Sequence, residues 1–127
     1  MKIVVERDRL LAAVDAATRS TGVATTIPIL QNLLLKPNGA AVGITGTRLE
    51  AQLEAAVDAE VTGGAGMNGD GMTLPGTALT DIVRGLPTGS QVMIEWDGLA
   101  SPYATLMSGR SRYKLLTLPA ADFPEFP

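Results

Sequence analysis

The sequence has 127 residues, of which 46% are apolar and 18% charged, and its net charge is −3. This length suits one domain with one hydrophobic core, and the composition is that of a globular protein rather than a disordered one. Cysteine and histidine are both absent, which excludes disulfides, thiolate zinc sites and histidine-based catalytic triads. The negative net charge argues against a protein whose whole surface attracts nucleic acid.

Targeting signals are missing from the sequence pattern. No apolar run is long enough to span a bilayer, and the first residues lack the apolar core and cleavage site of a signal peptide. We therefore expect a cytoplasmic protein that makes no membrane contact.

The first half of the chain predicts a strand, a helix and a hairpin. Residues 2–6 are mostly apolar and predict the strand, and residues 7–20 carry apolar side chains at helical spacing and predict the helix. Pro28 opens an extended run to residue 35. The turn signal at residues 36–39 and a return strand at 40–45 complete the hairpin.

Residues 49–61 are ambiguous between strand and helix. Every odd position is apolar and all but one of the even positions are polar, which is the alternation of a strand. Alanine, leucine and glutamate are also strong helix formers, and Leu49, Leu53 and Val57 fit a helical stripe. The pattern alone leaves both open and favours the strand.

The second half predicts a loop, a helix and three strands. Residues 62–71 are rich in glycine and predict a loop, and residues 75–84 predict a helix that ends at Gly85. Apolar and polar residues alternate over residues 92–97 and predict a strand, and two further strands are expected at residues 101–108 and 110–118. The last nine residues contain three prolines and predict an extended connector that does not pack.

Two motifs with chemical potential have plainer explanations. Residues 64–69 satisfy the G-x-G-x-x-G spacing of dinucleotide sites, but no helix can begin where that motif requires one, so we interpret them as a surface loop.

A second candidate site consists of four acidic residues that could be metal ligands or an acid/base pair: Glu50, Glu54, Asp58 and Glu60. They alternate along one strand face, which favours a solvated or partner-facing surface.

The predicted last strand carries a row of cations. Arg110, Arg112 and Lys114 alternate on one face, with Tyr113 and Leu115 on the other. Such a row can bind phosphate, line an interface, or keep an edge strand soluble. Without further information the last interpretation is slightly favoured.

The end of the sequence resembles a known family. Residues 108–113, SGRSRY, followed by residues 117–124, TLPAADFP, resemble the end of the first domain of the bacterial DNA polymerase III sliding clamp, the beta subunit. Four more segments resemble the same domain in the same order: VER with Leu10-Leu11, IPIL with NLLL, TGT with Leu49-Glu50, and DIVRGLP at 81–87. Residues 1–118 would be domain one of the clamp, and residues 119–127 the start of an interdomain linker.

The resemblance implies an α+β fold, the DNA-clamp fold, with two helices packed on antiparallel β-sheets, and it decides residues 49–61 as a strand. It also implies a processivity factor without a catalytic site, cofactor or metal. Six such domains, three in each of two subunits, would form a ring around duplex DNA and tether the replicative polymerase. The polymerase and the clamp loader would bind through domains that this chain lacks.

The resemblance also implies DNA-facing residues. Arg84 and Arg19 are the candidates, with Arg7 less favoured. Where the family often has basic residues, this sequence has Ala24, Thr77 and Ala78. We therefore expect weak contact that does not depend on DNA sequence, which suits a ring that slides rather than grips.

For the subunit interface, the resemblance implies that Arg110 and Arg112 pair with acidic groups of the second clamp subunit, while Tyr113 and Leu115 pack into its apolar seam. An alternative is a free-standing single clamp domain that assembles into a ring of its own copies or binds a host clamp. An enzyme that uses carboxylates or binds a nucleotide at residues 64–69 is the weakest hypothesis.

Overall fold

The protein is described from a computed structural model that covers residues 1–20, 28–48, 51–62, 71–97 and 101–124. Residues 64–69, which we interpret as a surface loop, lie outside these ranges, as do Ala24, Leu49 and Glu50. In chain order the elements are β1 (Lys2–Glu6), α1 (Arg7–Ser20), a 3-10 turn (Pro28–Gln31), β2 (Asn32–Asn38), β3 (Ala41–Arg48), β4 (Ala51–Asp58), β5 (Glu60–Thr62), β6 (Met72–Pro75), α2 (Gly76–Arg84), β7 (Gln91–Trp96), β8 (Tyr103–Ser108), β9 (Ser111–Leu116), β10 (Leu118–Pro119) and a second 3-10 turn (Ala120–Asp122).

The strands form two antiparallel sheets. The first has the order β5-β1-β7-β8-β9 and the second the order β10-β6-β2-β3-β4. Every paired strand is antiparallel to its neighbour within the described residues. Together with the two helices, this confirms the predicted α+β fold. No helix of the described ranges is long and apolar enough to cross a bilayer.

The two helices pack side by side and run in opposite directions. The Arg7 side chain at the start of α1 reaches the carbonyls that end α2, while Thr18 near the end of α1 contacts Thr80 through their hydroxyls at 3.0 Å. Close approach requires a small residue at the start of α2, since a Cβ on Gly76 would lie 3.0 Å from the Thr18 hydroxyl. The pair therefore forms one layer with fixed register.

The hydrophobic core lies between this helical layer and the sheets. The inward faces of the helices contribute five fully buried side chains: Leu10, Val14, Ala17, Leu79 and Val83. They join buried residues of both sheets in one cluster, among them Ile3, Leu33, Leu35, Ile44, Leu74, Ile94 and Leu106. Burying one such aliphatic side chain contributes roughly 1.5–3 kcal/mol. The opposite side of the helices is left for other contacts.

The ambiguous segment is extended, as favoured, but it serves both sheets. Ala51–Asp58 pairs with β3, and Glu60–Thr62 pairs with β1. The chain changes sheet at Ala59, whose N–H donates a hydrogen bond to the Ala40 carbonyl at 3.0 Å. Side chains at even positions of β4 are exposed, as the alternation predicts.

Three local predictions were wrong. Residues 28–31 form a 3-10 turn instead of the start of the extended run. The hairpin turn lies at residues 39–40, so β2 continues through Pro37 to Asn38. Residues 72–75 form a strand that was not predicted; this short strand pairs with β2 and β10, both distant in sequence.

The connector after β9 also differs from the prediction, because it packs. Leu118–Pro119 pairs with β6, and Phe123 is only 5% exposed. Phe123 lies outside the main core cluster and borders a groove that Leu34, Gly43 and Thr45 also line. These three positions alternate with residues that point into the core, so Phe123 covers the outer face of the second sheet.

Candidate functional site

The arginines of the two helices lie on the surface that faces away from the core. The helices carry four arginines and three aspartates, so their net charge is only +1. Of the candidate DNA contacts, the Arg19 and Arg84 side chains are 77% and 56% exposed, whereas the Arg7 side chain is 13% exposed. Thr77 on the same helix as Arg84 is exposed and Ala78 is half-buried.

Arg19 and Arg84 share one carboxylate. Arg84 Nη2 donates to Asp15 Oδ1 at 3.1 Å, and Arg19 Nη2 donates to Asp15 Oδ2. Arg84 Nη1 also lies 3.6 Å from Asp81 Oδ1. The structure therefore brings the two favoured candidates together around Asp15. One half of this arrangement was readable from the sequence, since Asp15 and Arg19 are four residues apart on one helix.

The environment of Asp15 keeps it ionised. The hydrogen bond from Arg19 lowers the pKa of the Asp15 carboxyl below its usual value, and the charges of Arg19 and Arg84 act in the same direction. Partial desolvation opposes this shift without cancelling it. A depressed pKa means that the ion pairs stabilise the folded state above the usual aspartate pKa and are lost as the pH falls below it.

Arg7 serves the packing of the helices. Its Nε donates to the Val83 carbonyl at 3.1 Å and its Nη2 to the Arg84 carbonyl at 2.8 Å, while Nη1 lies 3.1 Å from Asp8 Oδ1. These carbonyls belong to the last turn of α2, where the helix supplies few N–H donors, and the Val83 carbonyl also accepts a hydrogen bond from the Leu86 N–H at 3.1 Å. The guanidinium thus caps α2 from α1, and little of it is left for a phosphate.

We expect Arg7→Met to lower the free energy of unfolding by about 2 kcal/mol, because two charge-assisted hydrogen bonds are lost, a partly buried one to the Val83 carbonyl and an exposed one to the Arg84 carbonyl. Arg9→Met is the matched control. Arg9 pairs with Glu6 and Asp58 in exposed ion pairs, which are worth about 0–1 kcal/mol. Urea denaturation of both variants measures the difference. Equal losses would show that the cap adds nothing.

Among the residues that the structure describes, the predicted interface strand is an open sheet edge. β9 is the last strand of its sheet, and its pairing with β8 places Tyr113 opposite Leu106 and Leu115 opposite Ala104. Tyr113 is 38% exposed, whereas Leu115 is only 8% exposed and belongs to the core of this domain. Of the two apolar residues, Tyr113 alone offers substantial surface to a partner.

The cations of this region are exposed on the other face or in the turn. Arg112 lies opposite Met107 and Lys114 opposite Thr105, while Arg110 belongs to the turn before β9. No carboxylate among the described residues pairs with Arg110 or Arg112. Sequence reasoning missed an apolar pair beside them: Tyr103 and Leu116 face each other across the strands and are 47% and 52% exposed.

The far edge of the molecule is acidic. β4 ends the second sheet, and its exposed side chains include Glu54 and Asp58. A cationic edge and an acidic edge therefore lie in different sheets of one domain. Within the described ranges, no three carboxylates come close enough to hold a metal ion.

Comparison with known proteins shows the family of this chain. Residues 1–127 match the protein family described as DNA polymerase III beta subunit, N-terminal domain. The chain belongs to this family. It is 40% identical over 124 residues to the beta sliding clamp of Proteus mirabilis and 39% identical over 124 residues to that of Escherichia coli (strain K12), in each case over 98% of this chain and 32% of the relative.

Solved structures of sliding clamps have the same fold. The DNA polymerase sliding clamp from Caulobacter crescentus superposes with a TM-score of 0.89 and 33% identity, over 100% of this chain and 33% of that one. A DNA polymerase III subunit beta from Pseudomonas aeruginosa superposes with a TM-score of 0.88 and 31% identity, over 100% and 32%. The chain thus spans about a third of the length of these relatives, which agrees with one domain of a beta sliding clamp.

Proposed function

We propose that this chain is the first domain of a ring-shaped sliding clamp, a DNA replication factor that encircles duplex DNA and holds the replicative polymerase on it. The match of the whole chain to the beta-subunit family carries this proposal. In it the domain has no catalytic site and acts by position. The polymerase and clamp loader bind elsewhere in the complete clamp, and the clamp works in the cytoplasm.

The open edge of β9 supports a role in closing the ring. An unpaired strand edge at the end of a sheet is a template for pairing with another chain, and proteins normally block such an edge unless it is used. Here Tyr113 provides exposed aromatic surface, and Arg110 and Arg112 have no described carboxylate partner. A second clamp subunit with an acidic, partly apolar edge would supply carboxylates for the two arginines and apolar surface for the tyrosine.

The helical surface supports weak contact with DNA. Its arginines are largely matched by aspartates, which suits a ring that must move along phosphates without holding them. Arg19 and Arg84 remain the proposed contacts, and Arg7 contributes mainly by fixing the helices.

Topology provides the test of the function. The native polypeptide that carries this domain, loaded by its clamp loader on nicked circular DNA, is expected to stay bound in high salt. Cutting the circle should release it, because a ring slides off a free end. A protein that remains on linear DNA, or leaves circular DNA equally fast, would refute the proposed ring.

We expect Tyr113→Ala in the same polypeptide to raise the subunit dissociation constant about 10- to 100-fold, since a central aromatic residue at an interface contributes more than about 1 kcal/mol. Tyr103→Ala is the matched control, because Tyr103 is a similarly exposed tyrosine on the neighbouring strand. Sedimentation at a series of concentrations measures both constants. A subunit dissociation constant that Tyr113→Ala leaves unchanged would place the interface away from the β9 edge.

A second candidate is a free-standing domain that assembles from its own copies. The complementary edges favour it: Arg112 and Lys114 at β9 could face Glu54 and Asp58 at β4 of the next copy, joined head to tail. Light scattering of the 127-residue chain tests it. A monomer at all concentrations rules out this ring.

A further inference from the structure

The exposed arginines of the helical layer are held by acids of the same molecule. Arg9 contacts Asp58 at 3.3 Å, Arg84 contacts Asp15 at 3.1 Å and Asp81 at 3.6 Å, and Arg19 contacts Asp15. A cation that already has a fixed carboxylate partner differs from one surrounded by mobile counterions. The paired arginine must leave or share its carboxylate before it can contact a phosphate.

Asp15 has a special place in this network because it serves both helices. One of its oxygens accepts from Arg84, 69 residues further along the chain, and the other accepts from Arg19. Its side chain is 25% exposed, less than that of either arginine. Both candidate DNA contacts thus depend on the same carboxylate, which stays charged at neutral pH.

We propose that Asp15 is a built-in competitor for DNA phosphate: by holding Arg19 and Arg84 it weakens the contact of this surface with the duplex. The inference rests on the proposed function, since it assumes that the helical layer faces DNA. Phosphate binding gains most of its affinity from the release of condensed counterions. When an arginine leaves Asp15 for a phosphate, the carboxylate must recruit a new counterion, so part of that gain disappears.

Removal of Asp15 should therefore strengthen DNA binding and steepen its salt dependence. For the 127-residue chain, Asp15→Asn is expected to bind a duplex oligonucleotide of arbitrary sequence about three- to tenfold more tightly at low salt. The slope of log K against log salt should steepen by about 1–2, which corresponds to one or two further phosphate contacts. Fluorescence anisotropy at a series of salt concentrations measures both quantities.

Asp122→Asn is the matched control. It makes the same chemical change and the same change in net charge at an exposed residue of the second 3-10 turn, outside the helical layer. Its binding should stay close to that of the unchanged chain. If Asp15→Asn binds no more tightly than Asp122→Asn, the proposal is wrong.

A triple variant distinguishes freed arginines from a general electrostatic effect. Arg19→Gln and Arg84→Gln, added to Asp15→Asn, should remove the gain in affinity and the extra slope. A gain that persists in the triple variant overturns the proposal, because it would not pass through these arginines. Circular dichroism checks that each chain is folded, and Asp15→Ser replaces Asp15→Asn if the latter is not.

The outcome is separable from that of the proposed function. Retention on circular DNA depends on ring closure in the native polypeptide, whereas the anisotropy experiment depends on one surface of this domain. A clamp that slides off linear DNA but shows no effect of Asp15→Asn would keep the proposed function and reject this inference. A protein that fails the topological test but gains affinity on Asp15→Asn would reject the proposed ring and keep the effect of Asp15 on DNA binding.

Discussion

Gly71→Ala is expected to lower the free energy of unfolding by about 4 kcal/mol. Gly71 has a φ of +81°, and a Cβ at this position would lie 2.0 Å from the carbonyl oxygen of Leu35. A left-handed conformation costs a residue with a side chain about 1–2 kcal/mol, and overpacking against backbone adds about 1–3 kcal/mol. The neighbouring atoms belong to β2, which pairs with β6 next to Gly71, so relief of the clash would distort the centre of the second sheet.

Gly39→Ala separates these two contributions. Gly39 has a φ of +64°, but no atom of the described part of the chain lies within 4 Å of the place where its Cβ would be. Gly39→Ala should lower the free energy of unfolding by about 1–2 kcal/mol, because only the backbone strain contributes. Urea denaturation of both variants gives the comparison. If Gly39→Ala is as destabilising as Gly71→Ala, the close contact with Leu35 contributes nothing.

Phe123→Ala is expected to lower the free energy of unfolding by about 3 kcal/mol, in the range usual for a buried phenylalanine. The ring is 5% exposed and covers the outer face of the second sheet, so its removal uncovers Leu34 and Thr45. Thermal and urea unfolding measure the loss.

The stability of the Phe123 variants tests whether the folded domain includes the residues after β10. Phe123→Leu keeps most of the apolar volume and should cost less than about 1.5 kcal/mol. A loss below about 0.5 kcal/mol for Phe123→Ala would mean that residues after β10 are a mere connector. We propose instead that the folded unit extends past residue 118 to at least Phe123, and that the linker begins after it.

Local signals were sufficient for the helices. The predicted bounds of α1 agree with the structure, and α2 begins one residue later than predicted because Pro75 precedes it as the N-cap. Both helices have apolar residues at helical spacing and a glycine near their ends, which are signals carried by neighbouring residues. The strands with long alternation were found for the same reason.

Features that depend on distant partners escaped prediction. β6 has only four residues and exists because β2 and β10 lie on either side of it. The change of sheet at Ala59 left no trace in the sequence, since the alternation of apolar residues continues from Val57 to Val61. Local patterns hold no information about which sheet a strand joins.

The site was predictable only in part. The exposed arginines and the edge strand could be named from the resemblance, and the Asp15–Arg19 pair from helical spacing. The pairing of Arg84 with Asp15 and the capping of α2 by Arg7 required the packed helices. Leu115 was assigned to the interface because it shares a face with Tyr113, yet that face turns inward toward the core at Leu115. The DNA and interface contacts themselves stay predictions.

The crossing at Ala59 has a consequence for how the domain opens. β4 and β5 are continuous apart from this one residue, so a fluctuation that peels β4 from the second sheet pulls directly on the end of the first. The two sheets should then exchange their amide protons as a single cooperative unit rather than as two independent ones. Strain imposed at one open edge of the domain would reach the other sheet along this covalent path, without any change in the core between them.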